Sequence, residues 1–123
     1  MTPRRVVALA PDLFFSTRIL ATAERLGVVL EMPAPAAALG SIRSAPPDLV
    51  IFDLHAPGDP LGLARALRAD DATRSIPLIG FYSHVDRKLR DAAIAAGLDQ
   101  VLPRSAFTVR LPALLAGEVD TVS

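Results

Sequence analysis

The ten residues from Asp48 to Pro57 read Asp-Leu-Val-Ile-Phe-Asp-Leu-His-Ala-Pro: an apolar run, Leu49 to Phe52, that ends on Asp53 and passes into a loop. A run without alternation has no polar face to give to water, so it must be covered on both sides, as a strand in a parallel sheet is. Such a strand delivers Asp53 to its carboxyl end, where open α/β sheets form their ligand crevice. The rest of the chain must then supply neighbouring strands and helices for both faces.

It does so in alternation. Val6 to Ala10 reads as a first strand, stopped by Pro11. Asp12 can cap a helix whose Phe15, Ile19, Ala23 and Leu26 fall on one face, with Gly27 as its left-handed stop. Val28 to Met32 reads as a second strand and Ala36 to Ser44 as a helix flanked by prolines. After the central strand, Asp59 and Pro60 give a cap and first turn for a helix burying Leu63, Ala64 and Leu67. Ile76 to Tyr82 reads as the fourth strand. Ser83 or Asp86 starts a helix with Leu89, Ala92, Ala93 and Ala96 in one stripe, ending at Gly97. Gln100 to Pro103 reads as the fifth strand. The last helix is expected to begin between Thr108 and Pro112, because proline is tolerated where its missing N–H would have no partner anyway, and to bury Leu114 and Leu115. Five strands and five helices joined by short connections imply right-handed crossovers and a doubly wound α/β domain spanning residues 1–123.

Composition removes several functions. Thirteen basic and thirteen acidic side chains cancel, which leaves no electrostatic footprint for nucleic acid or an anionic membrane. Cysteine is absent, and with it disulfides, thiolate nucleophiles and Cys-ligated zinc. The apolar run near the start is broken by Pro11 and Asp12, and nothing later approaches a membrane span, so a cytoplasmic protein is expected. No G-x-S-x-G, Walker or dinucleotide fingerprint occurs.

Two segments carry a family resemblance: Pro47 to Pro57, where Pro-Asp-Leu-Val-Ile-Phe-Asp is followed by a proline four residues after the aspartate, and Ala96-Gly97-Leu98-Asp99 ahead of the last strand. On these the chain resembles, over essentially all of its length, a response-regulator receiver domain. The resemblance implies a flavodoxin-like fold with strand order 2-1-3-4-5. It also implies that Asp53 is the phosphoacceptor-equivalent, with magnesium held by that residue and by an acidic pair after the first strand.

Against that pattern the chain departs at each partner of Asp53. Counted back from Leu26-Gly27, the acidic pair falls on Ala10 and Pro11, neither of which can ligate a metal through its side chain. Asp12 is either a helix cap or a displaced member of the pair, and the cap reading suits the position better. Where the family places a Thr or Ser after the fourth strand stands Tyr82, read as a rim aromatic with its hydroxyl in water, followed by Ser83, read as a helix cap. Arg104 stands at the family's lysine, with Ser105 in place of the following proline; a planar fork replaces a mobile point charge. A direct or water-bridged contact between Asp53 and Arg104 is expected, because a buried carboxylate needs a partner.

Other features have plainer readings. Asp53, His55 and Gly58 spell the D-x-H-x-x-G of some cobalamin-binding domains, yet after the wrong strand and with no Gly-Gly anywhere, so His55, like His84, is taken as a solvated loop residue. Phe14 and Phe15 are read as one ring at the rim and one in the core, and Arg87, Lys88 and Arg90 as a solvated face.

The expected function is that of a stand-alone atypical receiver, or pseudo-receiver, in two-component or phosphorelay signalling: a protein-binding module and not an enzyme, without magnesium-dependent phosphorylation and without cofactor. The alternatives are a working phosphorelay receiver modified on Asp53, which would need magnesium, and a small-ligand binder on the same fold. The expected partner is a signalling protein such as a histidine kinase or effector, and self-association is expected through the fourth helix, fifth strand and fifth helix, where Arg87, Arg90 and Arg110 can project. With no effector domain after the last helix, any signal is expected to leave through a surface.

Overall fold

The structure is a computed structural model that describes residues 3–83 and 86–118. In chain order the elements are β1 (Arg5–Leu9), α1 (Leu13–Leu26), β2 (Val29–Glu31), α2 (Pro35–Ser44), β3 (Leu49–Asp53), α3 (Pro60–Ala69), β4 (Leu78–Tyr82), α4 (Arg87–Ala95), β5 (Gln100–Pro103) and α5 (Arg104–Ala116). All four strand pairings are parallel, and the sheet order is β2-β1-β3-β4-β5. His84 lies outside the described residues.

The apolar run at the centre behaves as its composition requires: every residue of β3 is buried, and so is every residue of β4. Parity along the strands sorts the core into two layers. Val6, Leu49, Ile51, Ile79 and Phe81 pack with Phe15 and Ile19 of α1 and Phe107 and Leu111 of α5. Val7, Val50, Phe52 and Leu78 face Ile42, Leu67 and Ala93 of α2, α3 and α4. The two edges of the sheet are β2, only three residues long, and β5, whose last residue is Pro103.

Helix ends follow the chemistry read from the sequence. The Asp12 carboxylate accepts the backbone N–H groups of Phe14 at 2.9 Å and Phe15 at 3.2 Å, and Gly27 closes α1 at φ 72°. Asp59 caps α3 through Gly62 N–H and Asp86 caps α4 through Leu89 N–H. Gly80 is required by close approach: a Cβ there would stand 2.5 Å from Leu98 Cδ2 and 3.0 Å from Leu54 Cδ2.

Several expectations are corrected. The last helix begins at Arg104, directly after β5, and carries Pro112 in its interior. An interior proline costs about 3 kcal/mol, but Phe107, Leu111, Leu114 and Leu115 anchor the helix on both sides of it. Leu26 is 40 % exposed although the stripe assigned it to the buried face. Ser83 is not a cap; Asp86 holds that place. Strand boundaries move by one or two residues, with Pro77 lying before β4 and not within it.

Candidate functional site

Asp53 closes β3 on the same face as Leu49 and Ile51, pairs in register with Phe81 of β4, and is 3 % exposed. Its Oδ1 accepts the backbone N–H of His55 at 2.9 Å, and its carbonyl accepts Ala56 N–H at 3.0 Å, so the carboxylate is held by the tight turn that it starts. His55 is exposed, as expected of a loop residue, yet not idle: its Nε2 accepts the backbone N–H of Ser83 at 3.0 Å. An accepting Nε2 carries no proton, which assigns the neutral Nδ1–H form. Asp53, His55 and Ser83 thus form one chain of hydrogen bonds from the end of β3 to the segment that leaves β4.

The residues expected around Asp53 are brought together only in part. Ala10 is buried and Pro11 exposed at the start of the β1–α1 connection, while Asp12 points its carboxylate back at the first turn of α1. Tyr82 is 8 % exposed and packs in the layer formed with α2, α3 and α4, so it is more buried than a rim aromatic and lies on the sheet face opposite Asp53. Its register neighbour Phe81, and not Tyr82, lies on the Asp53 face.

No ion pair joins Asp53 to Arg104 among the described residues. The expected direct contact is not made, and the reason is visible in α5. Because the helix opens at Arg104 with no loop before it, the guanidinium lies over the Phe15 ring, 5.1 Å from its centroid, with Nε buried and without a hydrogen-bond partner. Sequence reasoning missed Phe15 as the receptor of this cation. The signal was available in the aromatic positions, since Phe14, Phe15, Phe81 and Phe107 form a continuous column of rings with centroid separations of 5.1, 4.9 and 4.4 Å. As expected, Phe15 is the core member of its pair and Phe14, 60 % exposed, the rim member.

Two further surfaces border the site. An apolar cleft of about 390 Å³ opens at the carboxyl ends of β1 and β3, beside the Asp53 turn, between residues that include Ala10, Met32 and Ala56. At the carboxyl end of β4, Tyr82, Asp86, Arg87 and Arg90 line a polar depression, in which Arg90 also pairs with Asp91 at 3.4 Å. Among the described residues no three His, Cys, Asp or Glu side chains gather as a metal-binding set, and no helix is long and apolar enough to cross a membrane.

Neither a protein-family model nor a curated protein sequence matches the chain. Solved structures do. The chemotaxis response regulator CheY4 of Vibrio cholerae superposes with a TM-score of 0.82 at 18 % identity, covering 96 % of this chain and 100 % of that one. A response regulator from Hahella chejuensis gives 0.82 at 22 % identity, with 98 % of each chain covered. The receiver domain of the sensor histidine kinase PA1611 from Pseudomonas aeruginosa, solved with a magnesium ion coordinated in its active site cleft, gives 0.81 at 20 % identity, with 94 % of this chain and 97 % of that one covered. The chain therefore has the receiver fold, with the strand order that the sequence resemblance implied.

Proposed function

We propose that this chain is a receiver-type signalling module that acts by binding other proteins, and that Asp53 does not undergo magnesium-dependent phosphorylation. The observation that carries this reading is the state of Asp12. It is the one carboxylate beside the positions of the missing acidic pair, and it is committed to the N–H groups of Phe14 and Phe15. Ala10 and Pro11 offer no side-chain oxygen. Magnesium holds its place through several oxygen ligands in near-octahedral array and sheds water reluctantly. The residues present here do not fit it: among the described residues no three carboxylate or imidazole side chains gather.

The remaining parts support the same reading. A transferring phosphoryl group needs charge nearby to offset its own, and Arg104 is turned onto Phe15. A change at Asp53 needs a side chain to register it, and Tyr82 packs on the opposite sheet face. The working-receiver alternative has one observation in its favour, the retention of a carboxylate at Asp53 on the sheet's carboxyl end. Incubation with acetyl phosphate and magnesium, followed by intact-mass spectrometry, separates the two. An unmodified mass is expected; a phosphoryl adduct that vanishes in Asp53→Ala overturns the proposal.

The partner belongs to the same proposal: a signalling protein such as a histidine kinase or an effector, or a second copy, meeting the surface of α4, β5 and α5. Exposed Arg87 and Arg90 stand there with Ile94, which is 48 % exposed, and arginine beside apolar groups is the composition of interfaces. Arg87→Glu combined with Arg90→Glu is expected to weaken an association measured by sedimentation or pull-down; an association left unchanged removes this surface.

A further inference from the structure

The polar depression at the carboxyl end of β4 holds a side chain whose hydrogen-bonding capacity is unspent. Tyr82 is 8 % exposed, its ring packed in the layer formed with α2, α3 and α4, yet it lines the depression, and its hydroxyl has no hydrogen bond among the described residues. A phenol O–H on a buried ring needs an acceptor, and a ring already held in place presents that O–H without further ordering. The other lining residues, Asp86, Arg87, Arg90 and Asp91, come from the amino end of α4.

Charge decides what the acceptor is. The lining carries two arginines and two aspartates, and three of these four are already committed. Asp86 takes the Leu89 N–H at 3.2 Å and so answers the positive amino end of α4. Asp91 pairs with Arg90 at 3.4 Å. Arg87 is exposed and has no ion pair or hydrogen bond among the described residues. What is left over is one guanidinium fork and one phenol O–H, with a single positive charge. A carboxylate fits this pair: it carries one negative charge and accepts the fork through two oxygens, with lone pairs to spare for the phenol. A phosphoryl group, nearer to two charges, would turn its excess toward Asp86 and Asp91. We infer that Tyr82 and Arg87 form a receptor for one carboxylate, that of an aspartate or glutamate side chain on a partner protein. The source of the carboxylate rests on the proposal that partners meet the α4 surface; the receptor itself does not.

Tyr82 is the chain's one tyrosine and tryptophan is absent, so tyrosine emission reports this site alone. N-acetyl-glutamate α-amide, N-acetyl-glutamine α-amide and inorganic phosphate, titrated at constant ionic strength, separate the acceptor from its charge. The glutamate probe is expected to change Tyr82 emission saturably at millimolar concentration and to shift the Arg87 Nε–H resonance at the same midpoint. The glutamine probe should do neither, and phosphate should bind more weakly than glutamate. Tyr82→Phe keeps the buried ring and removes one hydrogen bond to a charged group, so binding followed on the Arg87 resonance should weaken about tenfold. Arg87→Gln, at an exposed position, should abolish the emission change. No saturable change with glutamate, an equal response to glutamine, tighter binding of phosphate, or unaltered affinity in either variant would each overturn the inference. The partner-surface reading fails separately, when Arg87→Glu combined with Arg90→Glu leaves the association unchanged, whatever the glutamate titration shows.

Discussion

The imidazole of His55 joins two loops: its Nε2 accepts the backbone N–H of Ser83, while its own backbone N–H is given to Asp53. A contact between side chain and main chain, at an exposed position, holds the segment after β4 to the turn after β3. In His55→Ala the Ser83 amide should lose protection, read as faster hydrogen exchange at that amide. The global stability loss should stay near the net value of one hydrogen bond, about 1 kcal/mol. An unchanged Ser83 exchange rate would show that the imidazole contact contributes nothing in solution.

Arg104 makes a second case, because its guanidinium gains a ring face while its Nε is buried and unpaired. An unsatisfied buried donor costs about 1–3 kcal/mol, and a partly exposed cation–π contact returns about 0.5–1 kcal/mol. Arg104→Met, which keeps the apolar stem, should therefore raise stability by about 1 kcal/mol in urea denaturation. A loss of more than that would place a hydrogen-bond partner on Nε in solution.

Asp12 separates capping from metal ligation. Asp12→Asn, which retains an oxygen for Phe14 and Phe15 N–H, should change stability by a few tenths of a kcal/mol, and Asp12→Ala should cost about 1 kcal/mol. Chemical denaturation with and without magnesium checks both; a magnesium-dependent gain lost in Asp12→Asn would contradict the cap assignment.

How much of this was legible before the structure depended on whether a residue's role is set locally. The unbroken apolar run through Phe52 gave away the buried strand, and Asp12, Asp59 and Gly27 gave away helix ends, because each acts through its own few neighbours. Arg104 was misplaced for the opposite reason. Local rules put Pro112 in a first turn, and long-range packing of Phe107 and Leu111 overrode them, moving the helix start and turning the guanidinium toward Phe15. Tyr82 departs from the rim reading for the same cause, since the buried layer around it comes from residues distant in the chain; His55 is exposed as read, and only its acceptor role, set by distant Ser83, was not legible.

Gly80 offers a test of packing at the sheet centre. A methyl group there meets Leu98 and Leu54 side chains inside contact distance, and overpacking of this kind costs typically about 1–3 kcal/mol. Gly80→Ala should fall in that range, measured by thermal or urea unfolding, and Gly80→Val should cost more. A neutral Gly80→Ala would mean that the two leucines yield freely.

Asp70 sets an acid dependence. The Ala72 N–H, foremost, holds its carboxyl below the usual carboxylate range; burial opposes this next, and the Arg43 guanidinium at 2.8 Å adds to the lowering. A depressed folded-state pKa means that the carboxylate adds stability above the unfolded value, and that this is lost as pH falls through the folded one. Asp70→Asn should therefore flatten the acid limb of the stability–pH curve while leaving its slope near neutrality unchanged.

The margins of the sheet carry a consequence for how copies of this chain can meet. Exposed strand edges are templates for an incoming strand. Here one margin is the three-residue β2, and the other finishes on Pro103, which has no N–H to give. A newcomer finds too short a ladder on one side and a gap in donors on the other, so fibril-like growth by main-chain addition is blunted at both ends. Recognition of this molecule must therefore be written in side chains and not in backbone.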